Sequence, residues 1–309
     1  MLNILFSAKP ARWEEFRPHL EAAFDEAGLD YALATEFPPA EVDYIVYAPN
    51  GQVTDLTPYT NTKAVLSLWA GVESIVSNQT LTQPLCRMVD DGLTEGMVEW
   101  VTGHALRHHL EMDRHIHGQT GEWLEGVPPL ARERKLCVLG LGALGKACAR
   151  QLVGLNFDTH GWSRREKSVA GITCHHGEEG LNAALQDADI VVLLLPDTPA
   201  TANIINAETL ALLAPGAVMI NPGRGPLIDD DALLEALDQG TLGHATLDVF
   251  RIEPLPADHP FWAHPQVTVT PHIASETRPS SAARVIAENI RRGEAEEPFL
   301  HLVDRKTGY

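Results

Sequence analysis

The sequence predicts an α/β protein with two parallel-sheet domains, and three observations lead to this class. The chain has 309 residues, enough for about two domains that each bury a core. Short apolar runs alternate with segments of helical periodicity, the pattern of parallel strands joined by crossover helices. A segment without periodicity, residues 118–134, separates two such halves and is interpreted as a loop between domains.

The first half alternates strand and helix candidates. Strands are predicted at residues 2–7, 44–47 and 64–68, and a helix at residues 13–27 that ends at Gly28. The third strand leads into the turn Trp69-Ala70-Gly71-Val72. Because ligands contact the carboxyl ends of strands in open α/β sheets, this turn is a candidate binding site.

A histidine-rich helix follows. Residues 92–117 lack proline and repeat apolar positions at helical spacing, which predicts one long helix. Its second half carries His104, His108, His109, His115 and His117. The spacing of the first two could serve a metal pair, but no carboxylate or cysteine ligand completes a recognisable pattern. We therefore predict no metal site and expect these histidines to be solvated or at an interface.

Composition and charge exclude several functional classes. The chain has 23 basic and 42 acidic side chains and a formal net charge of −19, whereas binding of nucleic acid needs a basic surface. Its four cysteines show neither disulfide nor zinc spacing, as expected in a reducing compartment. No run approaches the roughly 18 apolar residues of a spanning helix, and the N-terminus does not have the pattern of a signal peptide. We expect a cytoplasmic protein without a nucleic-acid or membrane partner.

A glycine motif opens the second half. The strand candidate 135–139 runs directly into Gly140-Leu141-Gly142-Ala143-Leu144-Gly145, and helical spacing follows. This context is the one that a dinucleotide-binding GxGxxG motif requires. Gly140 allows the tight turn, Gly142 admits the pyrophosphate, and Gly145 lets the helix pack on the strand, while the helix N-terminus attracts the anion. The second domain is therefore predicted to be a Rossmann-type doubly wound parallel sheet.

The next strand candidate, residues 158–162, ends at Ser163-Arg164-Arg165. An NAD-specific fold would place an Asp or Glu there to hold the ribose 2′-hydroxyl. A hydroxyl and guanidinium groups instead suit a 2′-phosphate, through charge-assisted hydrogen bonds. We predict NADPH as the preferred cofactor and NADH as the weaker one; the alternative interpretation is an exposed basic turn.

Three later strand candidates end in polar side chains, Arg224, Glu253 and His272. Because successive strand ends converge at one edge of a parallel sheet, these three can meet beside the nicotinamide. Arg224 would grip a substrate carboxylate and polarise the carbonyl. His272 would donate a proton as hydride arrives, and Glu253 would hold the histidine in its protonated form. The trio predicts reduction of a 2-oxo acid.

The chain resembles the D-2-hydroxyacid dehydrogenase family over nearly its whole length, through motifs in the family's usual order: LGLGALG, LLLPDTPATANIIN, NPGRG, LDVFRIEPLP and TPHIA. It resembles the glyoxylate/hydroxypyruvate reductase A branch in WSRR, LWAGVES, PFWAHPQVTVTPHIASETRP and the closing VDRKTGY. The resemblance implies a homodimer, a Rossmann domain at residues 99–281 and a smaller, discontinuous flavodoxin-like substrate domain at residues 1–98 and 282–309. It implies NADPH-dependent reduction of glyoxylate to glycolate and of hydroxypyruvate to glycerate.

The resemblance implies the roles given above for Arg224, Glu253 and His272, and it also implies roles for other residues. The backbone N–H groups of Gly71 and Val72 receive the substrate carboxylate together with Arg224, and Asp248 contacts the nicotinamide carboxamide. The other implied cofactor contacts are Ala143, Leu144, Pro196, Thr201, Pro222 and Gly223.

Two positions depart from the pattern. The wider family has alanine before the arginine, where this chain has Gly223, which leaves the nicotinamide contacts of that turn open. Tyr47 stands where the reductase branch is expected to carry tryptophan. Because this side chain would wall the substrate pocket, the preference among glyoxylate, hydroxypyruvate and longer 2-oxo acids is left open.

Two alternatives remain. One is an NAD-linked D-2-hydroxyacid dehydrogenase of another substrate range, which the turn at residues 163–165 disfavours. The other is a non-enzymatic, dinucleotide-sensing protein similar to a corepressor, which the intact catalytic trio disfavours.

Overall fold

The computed structural model describes residues 1–305; Lys306 to Tyr309, which end the VDRKTGY motif, lie outside the described residues. Its strands are, in chain order, β1 (Leu2–Ser7), β2 (Tyr31–Ala34), β3 (Tyr44–Tyr47), β4 (Ala64–Ser67), β5 (Leu85–Cys86), β6 (Lys135–Leu139), β7 (Asp158–Ser163), β8 (Thr173–His176), β9 (Ile190–Leu193), β10 (Ala217–Asn221), β11 (Leu242–Leu247) and β12 (Val267–Val269). Its α-helices are α1 (Pro10–Glu26), α2 (Glu73–Val76), α3 (Asp91–His109), α4 (Met112–Ile116), α5 (Ala143–Gly154), α6 (Gly177–Leu185), α7 (Ala207–Leu210), α8 (Asp230–Asp238) and α9 (Pro279–Glu294). Short 3₁₀ turns lie at Pro39–Glu41, Ala131–Glu133, Gly225–Leu227 and Pro260–Trp262. Within residues 1–305, none of the helices combines the length and the apolar character that crossing a lipid bilayer requires.

Within the described residues, the chain divides into two compact units, one formed by Met1–Leu93 with residues 276–305, the other by Thr94–Ser275. The first unit is discontinuous because the chain returns to it after completing the second. The boundaries expected from the resemblance lie a few residues further along the chain. The interpretation of residues 118–134 as a loop between domains is wrong, since this segment lies inside the second unit and the chain enters that unit along α3.

The first unit contains a parallel five-stranded sheet of order β2-β1-β3-β4-β5, the order of flavodoxin-like folds. Strands β3 and β4 are buried along their whole length, as expected for parallel strands covered on both faces. Helix α1 packs on α9, and Phe6 of β1 contacts Trp13 and Phe16 of α1 at ring-centroid distances of 5.4 and 5.9 Å. The carboxyl ends of these strands share one edge, where Tyr47 and the turn after β4 lie.

The second unit contains a parallel seven-stranded sheet of order β12-β11-β10-β9-β6-β7-β8. The strand order reverses at β6, which has β7 on one side and β9 on the other, as in doubly wound dinucleotide-binding sheets. In such sheets ligands bind outside the carboxyl ends of the strands at the reversal. The two sheets confirm the predicted fold class.

Helix α3 and its histidines differ from the expectation. The helix predicted over residues 92–117 is divided, because Glu111 adopts a left-handed backbone conformation (φ 51°) between α3 and α4. The His108 Nε2 lies 2.8 Å from the Thr246 hydroxyl, and its ring centroid lies 4.9 Å from that of His244. Burial lowers the pKa of His108 to about 3 and that of His244 to about 4. These two histidines are therefore neutral, partly buried and packed against the sheet, and His109 is buried, whereas His115 and His117 are exposed as expected. In the part of the chain that is described, no group of side chains is arranged to hold a metal.

Candidate active site

The turn after β6 has the geometry of a dinucleotide cradle. Gly140 adopts φ +107°, and a Cβ there would lie 2.3 Å from the carbonyl oxygen of Leu194. A Cβ on Gly145 would lie 1.7 Å from the Gly140 oxygen, so only glycine allows this approach of helix to strand. A Cβ on Gly142 would meet nothing within 4 Å, which leaves space beside the N-terminus of α5. This space and the N–H groups of the first turn of α5 fit a pyrophosphate.

A cationic segment follows β7. Ser163 ends the strand and is buried, whereas Arg164 and Arg165 are exposed. The Ser163 hydroxyl donates to the Arg165 carbonyl at 2.8 Å and so stabilises the turn. Lys167 donates from Nζ to the Leu141 carbonyl, inside the glycine motif, at 2.7 Å, and burial lowers the pKa of its ammonium group. Sequence reasoning missed Lys167, although this residue is a third cation in the same short segment as Arg164 and Arg165.

The remaining predicted cofactor residues lie on elements next to this cradle. Ala143 is the exposed first residue of α5, and Leu144 packs against the core. Pro196 and Thr201 lie in the loop after β9, the neighbour of β6. The Thr201 hydroxyl donates to the Pro196 carbonyl at 2.6 Å, which holds the loop closed on itself.

The structure places the predicted catalytic residues in the segments that follow β10, β11 and β12, three neighbouring strands. The His272 Nδ1 lies 2.7 Å from Glu253 Oε2, and Glu253 Oε1 accepts the backbone N–H of Phe250 at 2.9 Å. The backbone bond aligns the carboxylate, and the carboxylate in turn orients the imidazole. With Nδ1 engaged, Nε2 is the ring nitrogen left to transfer a proton.

The electrostatics of this pair favour a charged histidine. The hydrogen bond to Glu253 raises the pKa of His272, although burial and the charge of Arg224 act in the opposite direction. Burial acts to raise the pKa of Glu253, but hydrogen bonds from His272 and Phe250 and the charges of His272 and Arg224 outweigh it, so this pKa is lowered. The pair therefore favours an imidazolium beside an ionised carboxylate.

Asn221 shapes the turn that carries Arg224. Its Oδ1 accepts the backbone N–H of Gly223 at 3.0 Å, and its Nδ2 donates to the Arg224 carbonyl at 2.9 Å. A Cβ on Gly223 would lie 2.7 Å from the Leu193 carbonyl oxygen. The alanine of the wider family pattern therefore does not fit this turn without a backbone shift, which explains why glycine follows Pro222 here.

Asp248, at the end of β11, is fully buried. Its Oδ1 accepts the Thr270 hydroxyl at 2.5 Å and the Ile273 N–H at 2.9 Å, and its Oδ2 accepts the Ala274 N–H at 2.8 Å. Both carboxylate oxygens are thus engaged by the turn that carries His272. Sequence reasoning did not reveal these contacts, because they join residues more than twenty positions apart.

The substrate residues predicted in the first unit lie at the carboxyl edge of its own sheet. Tyr47 ends β3 and is buried, and burial raises the pKa of its phenol. Gly71 and Val72 lie in the turn between β4 and α2. The Ser67 hydroxyl accepts the backbone N–H of Trp69 at 2.9 Å and stabilises the start of this turn.

The sequence and the fold of this chain are both similar to those of known proteins. The profile of the family described as D-isomer specific 2-hydroxyacid dehydrogenase, NAD binding domain, matches residues 101–274. The glyoxylate/hydroxypyruvate reductase A of Serratia proteamaculans is 39% identical over 293 residues, which cover 92% of this chain and 89% of the relative.

Two solved structures are similar over the whole chain. The D-isomer specific 2-hydroxyacid dehydrogenase of Xanthobacter autotrophicus, in complex with NADPH and MES, is 39% identical with a TM-score of 0.93 and 99% coverage of both chains. The NADPH-dependent glyoxylate/hydroxypyruvate reductase of Sinorhizobium meliloti, in complex with NADP and sulfate, is 33% identical with a TM-score of 0.87 and full coverage of both chains.

Proposed function

The chain belongs to the D-isomer-specific 2-hydroxyacid dehydrogenase family, and we propose that it reduces small 2-oxo acids with NADPH, glyoxylate to glycolate and hydroxypyruvate to glycerate. The observation that carries the proposal is the His272–Glu253 pair, in which His272 Nδ1 lies 2.7 Å from Glu253 Oε2. The charge of Arg224 lowers the pKa of Glu253, so the guanidinium lies near this pair. A protonated imidazole and a fixed guanidinium are the groups that this reduction needs from the protein.

The reaction adds a hydride to the carbonyl carbon and a proton to the carbonyl oxygen. NADPH, when bound, supplies the hydride. Arg224 binds the substrate carboxylate with its planar guanidinium and stabilises the negative charge that develops on the carbonyl oxygen. His272 transfers a proton from Nε2 to that oxygen. Glu253 keeps the proton on Nδ1 and compensates the imidazolium charge before the transfer.

The turn after β7 supports the cofactor preference. It offers two exposed guanidinium groups, Arg164 and Arg165, with Lys167 close by, and no carboxylate at the strand end. Because the net charge of −19 opposes the approach of anions, the cations that bind a 2′-phosphate have to be local. The cofactor contacts assigned to Ser163, Leu144, Pro196, Thr201 and Asp248 belong to the same proposal.

We expect the purified protein to oxidise NADPH with glyoxylate and with hydroxypyruvate at a kcat/KM at least about tenfold higher than NADH supports. Loss of nicotinamide absorbance measures this for each 2-oxo acid. Replacing Arg164 and Arg165 together by alanine should raise the KM for NADPH and leave that for NADH unchanged, because the cofactors differ only in the 2′-phosphate. Arg284→Ala, which removes an exposed arginine of α9, is the matched control.

Two other outcomes would contradict this proposal. Equal kcat/KM for the two cofactors would favour the NAD-linked alternative. Binding of NADPH without turnover of any 2-oxo acid would favour the dinucleotide-sensing alternative.

The proposal includes the predicted substrate contacts of the first unit. The backbone N–H groups of Gly71 and Val72 are proposed to receive a carboxylate, supported by their place at the carboxyl edge of the sheet. Tyr47 is proposed to wall the pocket. Its buried aromatic ring would then set the size of the 2-oxo acid that is accepted.

A homodimer is proposed as the working form, supported by the resemblance and by exposed apolar side chains in the segment of residues 110–130. Five large apolar side chains of this segment are exposed, Leu110, Ile116, Trp123, Val127 and Leu130, of which Trp123 is 91% and Val127 96% exposed. Exposed apolar area of this kind marks interaction surfaces. Sedimentation equilibrium should give about twice the chain mass of 33.7 kDa.

The combined Trp123→Glu and Val127→Glu variant should shift this equilibrium toward the monomer, because it puts charge where apolar contact is needed. Gln119→Glu, which adds charge in the same segment without removing apolar area, should not. An unchanged dimer in the double variant would show that the segment is not the interface.

A further inference from the structure

His272 has an unusual backbone conformation. Its φ of +55° lies in the left-handed region, which a residue with a Cβ keeps only where surrounding contacts hold it. Its N–H donates to the Asp248 carbonyl at 2.8 Å and to the Thr270 carbonyl at 3.0 Å. The direction of the imidazole therefore depends on how firmly the turn from Thr270 to Ala274 is held.

A buried carboxylate holds this turn. Asp248 accepts three hydrogen bonds from it, one from the Thr270 hydroxyl and two from the N–H groups of Ile273 and Ala274. The backbone of Asp248 is anchored in turn, because its N–H donates to the Asn221 carbonyl at the end of β10 at 3.0 Å. A fully buried carboxylate needs such donors, and here all three come from the segment that carries His272.

Only one of these donors is a side-chain group that a conservative substitution can remove. Ile273 and Ala274 contribute backbone groups, whereas Thr270 contributes its hydroxyl. The backbone of Thr270 continues the sheet, since its N–H donates to the Leu247 carbonyl at 2.9 Å. Its side chain therefore links the end of the sheet to the carboxylate that organises the turn.

We propose that Thr270 is a positioning residue for His272: its hydroxyl orients the Asp248 carboxylate, which holds the turn and thereby the contact between His272 and Glu253. The inference rests on the proposed function, which makes His272 the proton donor. It gives Asp248 a role in shaping the turn in addition to the cofactor contact that the resemblance implies.

Loss of the Thr270 hydroxyl is expected to have two consequences for His272. The charges that act on His272 are those of Glu253, Arg224 and Asp248. Without the Thr270 hydroxyl, Asp248 can turn away from the Ile273 and Ala274 N–H groups, and the His272–Glu253 hydrogen bond lengthens. Proton transfer then becomes slower, and the histidine loses the contact that favours its protonated form.

The kinetic test compares Thr270→Val, which replaces the hydroxyl by a methyl group, with Thr270→Ser, which keeps it. We expect the valine variant to lose about tenfold in kcat with little change in the KM for NADPH, because a misplaced donor affects the chemical step. The serine variant should stay within about twofold of the wild type. Thr268→Val is the matched control, since Thr268 lies two residues before Thr270, in β12, and its hydroxyl contacts His244 at 2.9 Å instead.

A second readout does not depend on activity. NMR titration of the imidazole protons reports the pKa of His272, whose signal is assigned among the 14 histidines by its absence in His272→Ala. We expect its midpoint in Thr270→Val to fall toward the ordinary value of about 6.5. The Thr270→Ser and Thr268→Val variants should titrate as the wild type does.

The outcomes separate the two proposals. An unchanged kcat together with an unchanged His272 midpoint in Thr270→Val would overturn the positioning role, as would an equal loss in the serine variant. Absence of reductase activity in the wild type would overturn the proposed function, and the titration would still decide whether Thr270 holds His272. If circular dichroism shows that the valine variant does not fold, Thr270→Ala removes the same hydroxyl and is compared in its place.

Discussion

Replacing His272 by alanine is expected to lower kcat/KM for glyoxylate reduction by about a thousandfold, within the range that general acid catalysis contributes. The reason is that His272 is the only side chain to which the proposal assigns proton donation. Binding of NADPH, followed by the fluorescence of its nicotinamide, should be unchanged, because His272 acts on the substrate. His19→Ala, an exposed histidine of α1, is the matched control and should keep wild-type activity.

The same assignment fixes the direction of the pH dependence. Reduction needs the imidazolium, and the hydrogen bond to Glu253 raises the pKa of His272 above its ordinary value. The kcat/KM for reduction should therefore be flat at low pH and fall as the pH rises through this pKa, above about 6.5. Glu253→Gln removes the charge that stabilises the imidazolium and should move the fall to lower pH. A kcat/KM that increases through this range would contradict the role of His272 as proton donor.

Replacing Arg224 by alanine is expected to lower kcat/KM by a comparable factor, about a thousandfold, with both a higher substrate KM and a lower kcat. The guanidinium serves substrate binding and charge stabilisation in the transition state, so both parameters should suffer. Arg224→Lys should recover only part of the loss, because an ammonium group lacks the planar fork that binds a carboxylate through two hydrogen bonds. Arg132→Ala, which removes an exposed arginine of the same unit, is the control.

The affinity for NADPH separates this effect from a general loss of structure. It should be the same in Arg224→Ala and in the wild type, since the cofactor cradle lies at the end of β6. A variant that keeps near wild-type turnover would show that another group grips the carboxylate. Partial recovery of activity on adding guanidinium ion at low concentration would support the missing fork as the cause.

Much of the fold follows from local patterns in the sequence. The strands over residues 2–7, 44–47 and 135–139 were predicted at their observed bounds, because each is an apolar run bounded by turn residues. Strands β2, β5 and β8 were missed: β5 has only two residues, and β2 (Tyr-Ala-Leu-Ala) and β8 (Thr-Cys-His-His) carry less apolar signal than β3, which has the same length of four residues. Their pairing with longer neighbours makes them strands.

The histidine-rich helix shows the limit of periodicity as a guide. Its apolar repeat predicted one helix, but the structure turns at Glu111, and Arg107 forms an ion pair with Asp113 across the break at 2.8 Å. Periodicity describes which face of a helix is apolar and says nothing of where a polar turn interrupts it. The burial of His108 and His244 likewise depends on the packing of α3 against β11, to which no local pattern points.

The sequence alone determined the class of the sheets, the glycine turn and the residue types of the catalytic trio, because each is encoded in a short segment or in the rule that parallel strand ends share an edge. Only the tertiary structure decided which atoms are joined there: the 2.7 Å contact of His272 with Glu253, the carbonyl beside Gly223 that excludes a Cβ, and the three hydrogen bonds to Asp248. These contacts connect residues that are distant along the chain, and their geometry depends on the register of neighbouring strands. A hydrogen bond requires a donor–acceptor distance correct to a few tenths of an ångström and a nearly linear donor angle, and residue identity and spacing specify neither.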